Sequence, residues 1–375
     1  MITFSSALER SNKIVCFSME QALDFLILPL VQSTSEQDPI NVELIQSICS
    51  KGLDECPPED RVIAWLVLSG IYPKQPEDWP DVKTMRIAQY KDFISLFEME
   101  GYEKRIIPNT TDLFDYGIPK SDLMEIIHGD VIRTSHHIIF LPYPDRTIKS
   151  EDPEDILLPY HEQMRRLERI LYIFACVNPT LSYVQGFNEI CCVIYYAFSL
   201  GLPYFAGDFL AMEAFVFYTF QQLFAVTQIS ELFTTQDKSS LIHNQMKLFM
   251  EVLKRHLPNV ANIINGLGIH PLCFCYRWLN LMFAQDYLMP NLLMIWDALF
   301  AHFNELIDYE KYVSVAQMKM IKNQIDNNDY VGTITALQRI EIEDVKLLLV
   351  YANQYWNEDH QEKKSIFTEI FNFFK

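Results

Sequence analysis

From Glu189 to the C-terminus apolar side chains return every three or four residues, block after block, and few segments alternate as a half-buried strand would. The blocks fall at about 189–200, 207–226, 238–257, 271–286, 289–303, 310–323 and 343–356, with a last amphipathic piece at 362–374. A period near 3.6 cannot lie on one face of a sheet, whose side chains alternate with a period of two. Such a chain must bury its apolar stripes by packing helix on helix, so an all-α fold is expected. Eleven glycines against 26 phenylalanines and 19 tyrosines in 375 residues fit long helices around a large aromatic core. No block of thirty to fifty residues repeats, which argues against a solenoid.

The first half is helical too, with more interruptions. Residues 13–32 keep helical spacing as far as Pro29, and the polar run Ser33 to Pro39 reads as a linker. One helix is expected from Asn41. A second, Glu59 to Gly70, is opened by Pro57-Pro58 and two acids and closed by Gly70. Between 71 and 120, Pro73, Pro76, Pro80, Pro108 and Pro119 leave room for one helix, Val82 to Glu100, with 106–117 as loop. A short helix, Lys120 to Val131 with Ser121 as cap, stops close to Arg133, where the chain becomes extended. The acidic run Ser150 to Asp155 suits the start of an amphipathic helix from Ile156 to Cys176, which Asn178-Pro179 ends. Gln185 then falls at a junction between two helices.

Charge removes several classes of function. The formal net charge of −19, from 49 acidic and 30 basic residues, repels phosphate backbones and anionic lipid. Neither nucleic-acid binding nor direct membrane insertion is expected, whereas a basic or mixed-charge protein partner is acceptable. The eight cysteines sit mostly in apolar runs without regular spacing and read as reduced, buried thiols. Met1 to Arg10 lacks the form of a signal peptide, and the most apolar stretch, Cys191 to Ala206, is interrupted and too short to cross a bilayer. A cytoplasmic location is expected. There is no phosphate-binding G-x-x-x-x-G-K-[ST] loop, no G-x-S-x-G elbow and no dinucleotide fingerprint. His270-Pro-Leu-Cys273-Phe-Cys275 lacks a second ligand pair, so neither a metal nor a cofactor of its own is expected.

Two stretches carry chemistry: Ile127-His-Gly-Asp130-Val-Ile-Arg133 and, about fifty residues on, Ser182-Tyr183-Val-Gln185-Gly186-Phe-Asn188. The first sets an arginine one helical turn after an aspartate. The second puts a glutamine beside a glycine that would let another backbone come close. A planar, permanent cation with a neutral carboxamide suits neutralising a transferring phosphoryl group and orienting a water against it. Each stretch alone has a plainer reading, since Asp-x-x-Arg is ordinarily a surface ion pair and a polar residue at a junction ordinarily caps. Trp65, Trp278 and Trp296 read as core, and Arg165, Arg166 and Arg169 as a solvated stripe.

Taken in order, Arg61-x-x-x-Trp65-x-x-Leu68-x-Gly70, Ile127-x-x-Asp130-x-x-Arg133 and Tyr183-x-Gln185-Gly186-x-Asn188 resemble the three signature motifs of TBC-domain GTPase-activating proteins for Rab GTPases. Ile170-Leu171-Tyr172, Tyr276-Arg277-Trp278-Leu279 and Ile295-Trp296-Asp297 resemble further helices of that family, so the likeness covers roughly residues 45–350. Phe187 stands where the family usually has methionine, and the spacer from Gly70 to Ile127 is longer than in compact members. The resemblance implies an all-helical Rab-GAP domain over 41–356, with a catalytic part at about 41–200 and a C-terminal helical part at about 201–356. An accessory segment, 1–40, would precede it and an amphipathic helix, 357–375, would follow. It implies that Arg133 is an arginine finger and Gln185 a glutamine finger. Asp130 would hold the arginine, Tyr183, Ile127 and Trp65 would frame the site, and Gly186 and Asn188 complete the glutamine motif. The implied partner is a GTP-bound Rab that brings GTP and Mg²⁺ and takes part in vesicle trafficking. The chain would complete that partner's active site in trans and hydrolyse nothing by itself. The alternative expectation is a helical Rab-binding scaffold without catalysis.

Overall fold

The computed structural model describes residues 25–32, 39–105, 122–134, 158–227 and 238–373. The loop at 106–117, the Ser121 cap, the extended run after Thr134, the acidic helix start near 156 and most of 13–39 lie outside them. Fifteen α-helices and no strand occur among the described residues. They are α1 (Leu28–Gln32), α2 (Val42–Cys49), α3 (Pro58–Leu68), α4 (Trp79–Leu96), α5 (Asp122–Arg133), α6 (His161–Val177), α7 (Phe187–Leu200) and α8 (Phe209–Val226). The second half continues with α9 (Lys238–His256), α10 (Pro258–Gly266), α11 (Cys275–Asn280), α12 (Asn291–Ala301), α13 (Leu306–Met320), α14 (Tyr330–Gln338) and α15 (Val345–Phe373).

Local chemistry explains the ends. Pro58 occupies the first turn of α3, where its missing N–H is no loss, and Gly70 closes the segment at φ 74°. Asn41 and Asp208 cap α2 and α8 with side-chain oxygens. Pro29 does not end its helix but sits in the first turn of α1, whose amides need no intrahelical acceptor. The segment expected as one helix at 271–286 is broken into a 3₁₀ turn, Pro271–Cys273, the short α11 and turns beyond it. Two nine-residue helices, α10 and α14, are too short for periodicity to reveal. The blocks at 343–356 and 362–374 are one helix, because the polar residues between them do not break it: Asp359 accepts from Tyr312 Oη at 2.8 Å and pairs with Arg255.

Helices α6, α7 and α8 pack on one another, with α4 against α8 and α5 against α6; α3 packs on α7 and also on α12, where the second half begins. Trp65 is fully buried and stacks on Phe300 at 4.3 Å, with Trp296 5.9 Å away. Its indole Nε1 donates to Asp297 Oδ1 at 2.9 Å. Asp297 also accepts from Arg61 at 2.8 and 3.0 Å and from the Leu53 amide at 2.8 Å, so one buried carboxylate joins α3 to α12. Asp60, on the same helix as Arg61, accepts from the amides of Leu26, Ile27 and Leu28 at 2.6, 3.0 and 2.9 Å and so fixes the start of α1.

Arg165, Arg166 and Arg169 do not form a solvated stripe; all three are buried. Arg169 meets Glu213 of α8 through two bonds of 2.7 Å, and Arg166 meets the same carboxylate at 3.1 Å. Tyr90 donates to Glu213 at 2.8 Å, while Arg165 lies 3.0 Å from Glu168. Sequence spacing shows which face a charge occupies but not whether a distant acid awaits it. The same ion cluster explains α8, which is long and apolar enough to span a membrane by length and composition, unlike 191–206. In the fold 67% of α8 is buried, and Glu213, in its second turn, is held by two arginines from α6.

Candidate functional site

Helix α5 buries Met124, Ile127 and Val131 and ends at Arg133, whose side chain is 65% exposed. The last turn is finished by Thr134, whose hydroxyl donates to the Asp130 carbonyl at 2.8 Å. Asp130 is itself buried, and its two carboxylate oxygens have separate duties. Oδ1 pairs with Arg133, while Oδ2 accepts from Tyr183 Oη at 2.7 Å. Burial, and then the Asp130 carboxylate, push the Tyr183 phenol up, so it stays a donor at neutral pH.

The glutamine stretch leaves α6 through a turn in which Ser182 takes φ 54° and Gly186 φ 106°. What comes close to Gly186 is not another backbone, as its sequence setting suggested, but the Leu281 side chain, which a Cβ would meet at 2.8 Å. Asn188, in the first turn of α7, stitches the two stretches together. Its Oδ1 accepts from the Gly186 amide at 3.1 Å and lies 3.2 Å from Tyr183 Oη, whose one proton it shares with Asp130. Its Nδ2 donates to Thr134 Oγ1 at 2.6 Å and to the Asp130 carbonyl at 3.3 Å. Gln185 is exposed, and no hydrogen bond holds its side chain among the described residues.

Asp130, Arg133, Tyr183, Gly186 and Asn188 thus form one hydrogen-bonded junction with Arg133 and Gln185 on its outer side. Ile127 supports it from the buried face of α5, and Phe187 packs edge-on to Tyr183 at 5.9 Å. Trp65 is not part of the junction and belongs to the Asp297 core. Sequence spacing gives no sign of Thr134, His128 or Glu168. His128 Nδ1 lies 2.8 Å from Glu168 Oε1, and Tyr102 Oη donates to Oε2 at 2.6 Å. Burial by itself would raise the Glu168 carboxyl, but Arg165, His128 and Tyr102 outweigh it and hold the group below the ordinary carboxylate range. No group of three His, Cys, Asp or Glu side chains able to hold a metal occurs among the described residues, and His270 caps its own turn by accepting from the Leu272 amide at 3.2 Å. Chemically, the junction offers one exposed cation and one neutral donor–acceptor on a buried, hydrogen-bonded mount.

Comparison with known proteins places the chain among characterised folds. TBC1 domain family member 13 of Homo sapiens is 32% identical over 188 residues, which is 50% of this chain and 46% of that protein. GTPase-activating protein GYP7 of Candida glabrata is 23% identical over 276 residues, or 72% of this chain and 34% of that protein. The matched region is therefore less than half the length of either relative. The crystal structure of the Ypt/Rab-GAP domain of Gyp1p superposes with a TM-score of 0.65 at 19% identity, covering 89% of this chain and 98% of that one, a likeness of fold. The profile of the Rab-GTPase-TBC domain spans residues 61–325, more than half of the 375, and by that match the chain belongs to the Rab-GTPase-TBC domain family.

Proposed function

We propose that this chain accelerates GTP hydrolysis by a Rab GTPase, with Arg133 and Gln185 entering the partner's active site as arginine and glutamine fingers. The observation that carries this reading is the Asp130 carboxylate, which takes Arg133 on one oxygen and the tyrosine of the glutamine stretch on the other. One buried group thereby joins the end of the arginine helix to the stretch that carries Gln185, an arrangement with no purpose in a helix-surface ion pair. GTP and Mg²⁺ would come with the partner. Arg133 would meet the negative charge that gathers on the departing γ-phosphoryl oxygens, and Gln185 would orient the attacking water. On this reading the chain acts from the cytosol and reaches endomembranes through its lipidated partner rather than through its own acidic surface.

The test is single-turnover hydrolysis across a panel of GTP-loaded Rabs, with binding measured in parallel. For the Rab that responds, Arg133→Ala is expected to lose stimulation by about 10³–10⁵, roughly 4–7 kcal/mol of barrier, while still binding. Arg133→Lys keeps the charge but not the fork and is expected to be severely impaired. Near-normal acceleration by the alanine variant would overturn the finger assignment. Binding without acceleration by the wild-type chain would leave the scaffold reading in its place.

A further inference from the structure

The junction described above orients the Arg133 side chain and ties the end of α5 to the glutamine stretch and α7, but its hydrogen bonds do not run to α6. Helix α5 packs on α6 and buries Met124, Ile127 and Val131, and apolar burial of this kind is non-directional. A directional contact lies on the buried side. His128 is fully buried, and its Nδ1 meets Glu168 Oε1 at 2.8 Å. A carboxylate offers only lone pairs, so Nδ1 is the donor. Glu168, also fully buried, is shared with Arg165 at 3.0 Å and with Tyr102 Oη at 2.6 Å. One acid on α6 is therefore held by two hydrogen-bond donors, Tyr102 and His128, and by the Arg165 ion pair, and only His128 belongs to the arginine helix. Five residues at about 100° each put Arg133 roughly 140° around α5 from His128, so the anchor and the outward cation face nearly opposite ways.

We propose that His128 and Glu168 form a positioning pair that sets the register of α5 on α6 and thereby the place of Arg133. The proposal rests on the Rab-GAP reading only for its catalytic consequence. A buried polar contact of this kind selects one register among several that the apolar face would accept. Because a displacement of about 1 Å can slow a positioned reaction about a hundredfold, a small slip of α5 suffices to disable the finger without unfolding the domain.

Two measurements decide it. Amide hydrogen exchange is compared for wild type, His128→Phe and His128→Asn, since the asparagine Nδ2–H lies near where the imidazole Nδ1–H was. The phenylalanine variant is expected to exchange at least about tenfold faster in α5, with α7 and α12 unchanged, and asparagine to restore protection. Steady-state kinetics on the responsive GTP-loaded Rab are expected to show kcat reduced about ten- to a hundredfold in His128→Phe, with KM within about twofold and most of kcat regained in His128→Asn. Should the phenylalanine variant not fold, His128→Gln, whose amide does not occupy the Nδ1 position, is expected to show the same split. Unchanged exchange in α5 overturns the positioning role whatever the kinetics show. Unchanged kcat in a variant whose α5 is loosened overturns the link to Arg133. A wild-type chain that accelerates no Rab overturns the catalytic reading instead, and the exchange result still decides whether the pair holds α5.

Discussion

At Gly186 two independent constraints meet. The backbone takes φ 106°, which L side chains rarely adopt, and a Cβ would lie 2.8 Å from Leu281 Cδ2. Of these the contact is the softer, since the end of a leucine can turn away, while the dihedral cannot change without moving Gln185. Gly186→Ala is expected to lower unfolding free energy by about 1–3 kcal/mol, measured by chemical denaturation. Adding Leu281→Ala should recover little of it; full recovery would show that crowding, not backbone conformation, requires the glycine. This residue illustrates what the sequence could tell. A Gln-Gly pair at a helix junction was legible, as were Asp130 and Arg133 one turn apart, because those relations are local. The identity of Gly186's neighbour was not, nor was the His128–Glu168 contact, because each partner lies on another element and leaves no mark in spacing.

The seam between α12, α13 and α15 is set by aromatic stacking. His302 lies face to face with Tyr309 at 3.7 Å and edge-on to Trp356 at 5.1 Å, and its Nδ1 donates to the Ala298 carbonyl at 2.9 Å. Burial pushes the imidazole down to about 4, helped by His360 and only partly opposed by the Ala298 bond. Between about pH 4 and 6.5 the unfolded chain binds the extra proton, so stability rises with pH across that window and falls on acidification. From pH 7 to 5 the loss attributable to this group should be about 2 kcal/mol. His302→Phe, which keeps the stack, should flatten that part of the stability profile; an unchanged slope would mean the ring is charged in place. Periodicity located these helices well, but the polar residues around Asp359 looked like a break. They lie within α15 because Arg255, His256 and Tyr312, from other helices, receive that acid.

Across the molecule, acids buried beside basic residues act as fasteners. Asp297 binds Arg61, Trp65 and the Leu53 amide, so it ties the half that carries the junction to the half that does not. Removing one partner of such a pair strands the other in a dry interior. Asp297→Ala is expected to cost about 3–5 kcal/mol and to lower both halves in one transition, read by denaturation followed at two probes. Two separated transitions, or a loss under about 1 kcal/mol, would refute that coupling. The net charge of −19 hides this role: it suggests acids facing water, whereas Glu168, Glu213 and Asp297 are all fully buried.

Asp60 has a bearing on how the molecule can be shortened. Its carboxylate receives the amides of Leu26, Ile27 and Leu28, one position before the family match opens at Arg61. A recombinant fragment trimmed to that match would discard the acid together with the strap it grips, and would lay bare the surface that Ile27 and Val31 now cover. Expression boundaries drawn upstream of Phe25 keep both.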